Sequence, residues 1–364
     1  MARTPQETLR LTLERVAPGT ALRDGLERIL RGRTGALIVL GTDRLVESLC
    51  TGGFDIGIDF SPTRLRELAK MDGAIVVDRD ITAIHKAGVQ LVPDAAIPTS
   101  ESGTRHRTAE RFSVQTGHPV ITVSASMQII AIYIAGQRHQ LEGSESILAR
   151  ATQALSTLER YRERLDQVTT ALSSQEIEDT VSVRDVAQVL QRQEMVRRIS
   201  EEISQYVLEL GIDGRLVALQ LEELAGGVGL TAEVVLRDYA AAALESGATQ
   251  DELDVEAAAA GLRELSGPDL VDLTRVARLL GFGTGPESLD RHVQPRGYRL
   301  LTRLSALPRA VVERIVDQFG GLQQLMAASI EDLRSVEGIG DLRARVVREG
   351  LGRFAEDSLL ERYR

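Results

Sequence analysis

Lysine is nearly absent from this chain: among its 364 residues only Lys70 and Lys86 are lysines. Neither follows the GxxxxG of a P-loop, so a lysine-dependent phosphate loop or Schiff-base site has almost no candidates. Cysteine is scarcer still. Cys50 stands alone, which excludes an intrachain disulfide, and paired-cysteine zinc motifs are absent. Stability has to come from apolar cores and from contacts between copies. No apolar run suits a bilayer either, since the longest, Val120 to Gly136, is interrupted by Thr122, Ser124, Ser126 and Gln128. The N-terminus passes straight into a charged helical pattern, Pro5 to Val16, with no apolar leader, which predicts a cytoplasmic protein with no membrane partner.

The length suggests two or three domains, and 43% hydrophobic with 26% charged residues is ordinary for a soluble globular protein. Charge is distributed in blocks. Residues 1–150 carry a net +1, residues 151–289 a net −13 and residues 290–364 a net +2. The acidity therefore sits in the middle, and both ends are free to meet phosphates.

Three regimes follow, predicting a multidomain α/β plus all-α protein. Over residues 1–145, helical patterns at Pro5 to Val16 and Ala21 to Leu30 give way to strand candidates: Gly35 to Leu40, Arg44 to Leu49, Gly73 to Asp78, Ile81 to Ala87, Pro119 to Ser124 and Gln128 to Ala135. Ser61 to Lys70 and Arg105 to Gln115 read as helices. The tight 119–135 hairpin favours a mixed sheet. Residues 146–289 form an acidic helical spine, beginning with one long helix from Ser144. Residues 290–364 are helical and arginine-rich.

The most unusual stretch is Gly103-Thr104-Arg105-His106-Arg107-Thr108, at a loop-to-helix junction. Free N–H groups at a helix start, supplemented by hydroxyls and guanidinium forks, make a polyphosphate site; the alternative is a capped surface helix with solvated arginines. Asp72-Gly73-Ala74 opens an apolar run, where a carboxylate can hold a divalent metal, although DG is also a plain turn dipeptide.

Taken together, Asp72-Gly73-Ala74, the Thr104 to Thr108 run and a serine on the 120–124 strand resemble, in order and spacing, the diadenylate cyclase family. With the spine and a C-terminal helix–hairpin–helix module, the resemblance extends over the whole chain. It implies condensation of two ATP molecules into cyclic di-AMP and two pyrophosphates with Mg²⁺ or Mn²⁺, by two cyclase domains facing one another, in a homo-octamer. It also implies that Asp72 is the metal ligand at the attacking 3′-hydroxyl, with Gly73 beside it. Thr104, Arg105, His106, Arg107 and Thr108 would bind the triphosphate, Ser124 its phosphate tail, and Leu91 would lie against adenine. For Asp72 a metal role suits better than that of a base, because a bound metal acidifies the hydroxyl directly.

In the tail, Gly338-Ile339-Gly340 fits the hairpin turn whose backbone N–H groups grip DNA phosphate without reading bases. Arg343, Arg345 and Arg348 follow it, and Leu304 to Val316, with Leu307-Pro308 at the turn, looks like a degenerate first copy. A plain αα-hairpin is the alternative. DNA, branched or at a junction, is the expected partner. Thr51-Gly52-Gly53 reads as a turn between strands, the Gly281 to Gly285 stretch as a linker, and His85, His118, His139 and His292 as structural. The rival function is a non-catalytic DNA-binding scaffold with a nucleotide-sensing first domain. Adenylate transfer to DNA ends is disfavoured for want of a suitable lysine.

Overall fold

The structure, a computed structural model, describes residues 4–226, 232–245, 255–283, 285–304 and 307–361. The parts of the spine, linker and tail expectations that fall on 227–231, 246–254, Thr284 and 305–306 lie outside the described residues. The chain divides into two compact units, one of Met1–Gln153 with Ile203–Gln220, the other of Ala154–Glu202 with Leu221–Arg364.

The first unit begins with helices α1 (Pro5–Val16) and α2 (Ala21–Arg31), started by side-chain caps from Thr4 and Thr20. Eight strands follow in a mixed sheet: β1 (Ala36–Leu40), β2 (Cys50–Thr51), β3 (Phe54–Asp59), β4 (Ala74–Val77), β5 (Ala83–Leu91), β6 (Val120–Ser124), β7 (Ile129–Ile134) and β8 (Gln137–Leu141). Their order is β2-β5-β4-β1-β6-β7-β8, with β3 also paired to β5. β1 and β4 are parallel, and every other pair is antiparallel. The expected 119–135 hairpin is present as β6 and β7. β8 went unforeseen because its polar sequence, Gln-Arg-His-Gln-Leu, carries little strand signal.

Between strands lie α3 (Arg44–Ser48), α4 (Pro62–Leu68) and α5 (Thr104–Thr116). Arg44 to Leu49, expected as a strand, is mostly helical. Asp43 accepts a hydrogen bond from the Val46 amide at 2.8 Å, and this local cap outweighs the strand propensity of a short run in which only Val46 is buried. Gly52 and Gly53, both at positive φ, do separate two strands. The chain does not reverse there, however, since β2 and β3 both run antiparallel along β5.

All five residues of β1 are buried, so both sheet faces are covered. The side-chain alternation of a strand sends Ile38 and Leu40 into a core with Leu13, Leu26, Ile29 and Leu65, from α1, α2 and α4. It sends Leu37 and Val39 to the opposite core, with Ala109 and Phe112 of α5.

After β8 every described element is a helix, and the first three long ones carry residues of both units. The long helix α6 (Ser144–Glu178) is continuous over 35 residues, as the spacing predicts, and α7 (Val183–Leu210), α8 (Arg215–Ala225), α9 (Ala232–Glu245), α10 (Val255–Glu264), α11 (Gly267–Val271) and α12 (Leu273–Leu279) complete the spine. The tail consists of α13 (Tyr298–Thr302), α14 (Arg309–Phe319), α15 (Leu322–Ala327), α16 (Ile330–Arg334) and α17 (Asp341–Glu361). Its core includes Leu300, Val312, Ile315, Leu333, Val347 and Leu351.

A fully buried polar network ties the tail to the spine. Arg299 pairs with Glu176 of α6, which also accepts from the Tyr239 hydroxyl at 2.6 Å. Asp238 accepts from the amides of Gly297, Tyr298 and Arg299 at 2.6, 2.7 and 2.6 Å, capping α13.

Candidate functional site

The loop that delivers the chain to α5 is held at several points. Gln115 accepts from the Asp94 amide at 2.8 Å, Arg111 donates to the Ile97 carbonyl at 2.7 Å, and the buried Glu110 accepts from the Thr99 hydroxyl. α5 thus starts at a determined place, on Gly103, whose lack of a side chain leaves the first-turn amides without a side-chain cap. Thr104, Arg105 and Arg107 are exposed there. The Arg107 guanidinium has no partner among the described residues. The arrangement, free amides with two open guanidinium groups, attracts anions.

Arg105 is aimed more narrowly. One Nη lies 3.5 Å from the Val123 carbonyl at the end of β6, and the guanidinium occupies the space over Gly35, where a Cβ would stand 2.2 Å from Nη1. Gly35 had no assigned role beyond opening a strand, since only the packed structure shows what lies above it.

His106 turns its Nδ1 edge into the core, while Cδ2, next to Nε2, lies 3.4 Å from where a Gly103 Cβ would stand. Its Nδ1 is 2.8 Å from the Tyr133 hydroxyl and 3.4 Å from Thr122 Oγ1, and the Tyr133 hydroxyl donates to Glu101 at 2.8 Å. Burial pulls the imidazole pKa down, while burial and the Glu101 carboxylate push the Tyr133 phenol up. Both groups are therefore neutral near pH 7. Tyr133 and Glu101 escaped sequence reading because Tyr133 sits in an apolar strand and Glu101 in a loop, with nothing in the spacing to join them.

The sheet register gathers the remaining candidates. β1 and β4 run parallel while β5 and β6 oppose them, so the N-terminal ends of β1 and β4 share one sheet edge with the C-terminal ends of β5 and β6. Along that edge, in strand order, stand Leu91, Asp72 with Gly73, Gly35, and Ser124. With neighbouring strands about 4.8 Å apart, the row spans on the order of 15 Å. Asp72 is exposed and makes no side-chain hydrogen bond among the described residues. Gly73, at φ +106°, is packed against the backbone of β5: a Cβ would lie 2.6 Å from the Gly88 carbonyl carbon. Ser124 is buried, accepting from the Met127 amide at 3.4 Å, and Leu91 lies in the core on the α5 side of the sheet.

The other histidines have local partners where a bond is seen. His118 contacts Asp43 at 3.0 Å and packs over Gly41, His292 bonds the Asp179 carbonyl at 2.8 Å, and His139 lies 4.0 Å from Glu209. In the second unit, Gly338 turns the chain between α16 and α17 at φ +86°, and Ile339 is buried. Gly340 is exposed at the start of α17. Arg343 folds back onto the Gly338 carbonyl at 2.7 Å and Arg348 onto the Met326 carbonyl at 2.8 Å. Arg345 is exposed without a side-chain partner among the described residues. No helix among the described residues is long and apolar enough to cross a membrane.

The chain resembles known proteins over its whole length. A family model described as DisA bacterial checkpoint controller nucleotide-binding matches residues 23–138, and one described as DisA bacterial checkpoint controller linker region matches residues 141–289. The DNA integrity scanning protein DisA of Kineococcus radiotolerans is 64% identical over 361 residues, covering 99% of each chain. That of Frankia alni is 58% identical over 364 residues and 100% of each chain. Among solved structures, DacA from Staphylococcus aureus aligns with 38% of this chain and 91% of its own at 21% identity, with a TM-score of 0.30. On the full-length identities, the chain belongs to the DNA integrity scanning protein DisA family.

Proposed function

We propose that the chain condenses two ATP molecules into cyclic di-AMP, with release of two pyrophosphates, and that its tail couples this reaction to DNA. The enzyme class is that of the family, a diadenylate cyclase and hence a nucleotidyltransferase. The observation that supports the finer reading is the single sheet edge along which Asp72, Gly35 and Ser124 stand in register, with the guanidinium of Arg105 over Gly35.

In this reading the triphosphate lies on the first turn of α5, held by Arg105 and Arg107, the free amides, and the hydroxyls of Thr104 and Thr108, with Ser124 at the phosphate tail. Adenine lies toward Leu91. Asp72, at the neighbouring strand end, stands by the 3′-hydroxyl that attacks. Among the described residues no three His, Cys, Asp or Glu side chains form a cluster fit for a metal. The donor set nevertheless fits Mg²⁺ or Mn²⁺, since such ions are commonly held by one or two carboxylates with the substrate's phosphate oxygens, and Asp72 is an open carboxylate. When bound, the ion neutralises phosphate charge and acidifies the attacking hydroxyl.

One edge holds one ATP. A cyclic product needs each hydroxyl aligned with the other α-phosphate, so two copies must meet face to face, within a homo-octamer. In the tail, the Gly338 to Gly340 turn and Arg345 grip DNA phosphates without reading sequence, and several tails acting together favour branched or junction DNA. The test is incubation of the pure protein with ATP and Mg²⁺ or Mn²⁺ and identification of products by mass. Cyclic di-AMP and pyrophosphate are expected. A folded oligomer that binds ATP but yields no cyclic product with either metal would leave the nucleotide-sensing scaffold as the correct reading.

A further inference from the structure

Behind the first turn of α5, four side chains form one hydrogen-bonded file. Arg138 Nη1 lies 3.4 Å from Glu101 Oε1, the Tyr133 hydroxyl is 2.8 Å from the same oxygen, and His106 Nδ1 is 2.8 Å from that hydroxyl. Counting donors places the protons. Glu101, paired with Arg138, is a carboxylate and can only accept. The one phenolic proton of Tyr133 therefore goes to Glu101, and its oxygen is left to accept from His106. Nδ1 must then carry a proton. Thr122 agrees with this polarity, because its hydroxyl donates toward the Ala131 carbonyl and turns lone pairs to the same Nδ1. In the neutral ring only one nitrogen is protonated, so Nε2 is bare. Nε2 has no hydrogen bond within the described residues and is not among their buried unpaired atoms.

We propose that Arg138, Glu101 and Tyr133 are positioning residues that hold His106 as the Nδ1–H tautomer, so that Nε2 meets the bound nucleotide as an acceptor for an O–H donor. The proposal rests on the reading of α5 as the triphosphate turn and refines it. Triphosphate oxygens paired with arginines and a divalent cation are held unprotonated near pH 7 and have no proton to give a bare nitrogen. What Nε2 can bind is a hydroxyl of the ribose or a water carried in with the substrate, while phosphate recognition falls to the arginines, hydroxyls and amides around it. A file anchored by an ion pair at its far end fixes both the orientation of the ring and the identity of its protonated nitrogen.

Magic-angle-spinning ¹⁵N NMR of the full-length oligomer, labelled at histidine and assigned against His106→Ala, reads the ring directly. At pH 7 the wild type should show a protonated Nδ1 and a bare Nε2. Tyr133→Phe removes the acceptor, and the spectrum should become a mixture of tautomers. At saturating ATP its kcat should fall roughly tenfold, with KM for ATP within twofold of wild type. Should Tyr133→Phe not fold, the near-isosteric Glu101→Gln serves, because its amide can donate to the phenol, reverse the file and move the proton to Nε2. An Nε2–H ring in the wild type overturns the proposal. So does a folded variant whose tautomer is unchanged, or one whose tautomer changes with kcat intact. A wild type that makes no cyclic product instead overturns the functional reading, and the ring spectra still decide the file.

Discussion

The guanidinium of Arg105 fills the space that a side chain on Gly35 would need, with Nη1 only 2.2 Å from the position of a Gly35 Cβ. The obstacle is the far end of a flexible side chain rather than backbone, so an added methyl displaces Arg105 at little cost to the fold. Gly35→Ala should therefore leave thermal unfolding nearly unmoved while weakening ATP binding about as much as Arg105→Ala does. Combining the two should cost little more than either alone, since both remove the same contact. Isothermal titration with ATP across this cycle checks it, and additive losses would uncouple the two residues.

Asp72→Asn removes a charge from an exposed position with no hydrogen bond to lose, so the fold and assembly should persist. Synthesis should drop on the order of 10³-fold, the scale of several kcal/mol in a barrier. Mixing this variant with wild type should lower specific activity more than in proportion, because each product needs two competent facing edges. A folded variant with full activity removes Asp72 from the reaction.

Arg105→Ala with Arg107→Ala should weaken ATP binding and turnover together, because neither guanidinium supports the core. The check pairs ATP affinity with a thermal melt. A large loss of stability with affinity intact would favour the plain surface helix.

The buried network of the second unit predicts a pH dependence of stability. Burial, and then the charge of Glu176, push Asp238 from its ordinary 3.8 up to about 7, against the pull of Arg299 and of the amides it caps. An acid whose pKa is raised by folding holds its proton in the native state where the unfolded chain has lost it. Its stabilising contribution is then full below about pH 4 and is lost as pH rises toward about 7. Melting temperatures of wild type and Asp238→Asn measured from pH 5 to 8 should diverge with that sign. Arg299→Ala, which strands Glu176 without its ion-pair partner, should cost about 3–5 kcal/mol.

DNA binding by the tail should fall steeply with salt and be indifferent to sequence. Arg345→Ala should flatten the dependence of log K on log salt by about one phosphate contact while leaving the fold intact. Gly338→Ala should weaken binding by a different route, since a side chain at φ +86° is strained and would crowd Arg314 at 2.7 Å. Junction DNA titrated at several salt concentrations separates the two.

Much was decided by the sequence alone, wherever the signal was local. The capped helices at Pro5, Ala21 and Pro62, the short, mostly apolar runs of β1, β4 and β6, the long α6 and the unusual Thr104 to Thr108 helix start all rest on patterns within a few residues of one another. The Arg44 to Leu49 error was also local, between an Asp cap and a weak strand preference, and the cap won. What tertiary structure alone decided are the relations between distant segments. That Gly35 is the seat of Arg105 depends on β1 lying beside β6 under α5. That Gly73 must be glycine depends on β5 crossing its backbone, and that Arg299 is buried depends on Glu176, 123 residues earlier, waiting in an apolar interior. No short-range pattern carries such information, because a side chain's environment is made by whichever strand or helix packs against it.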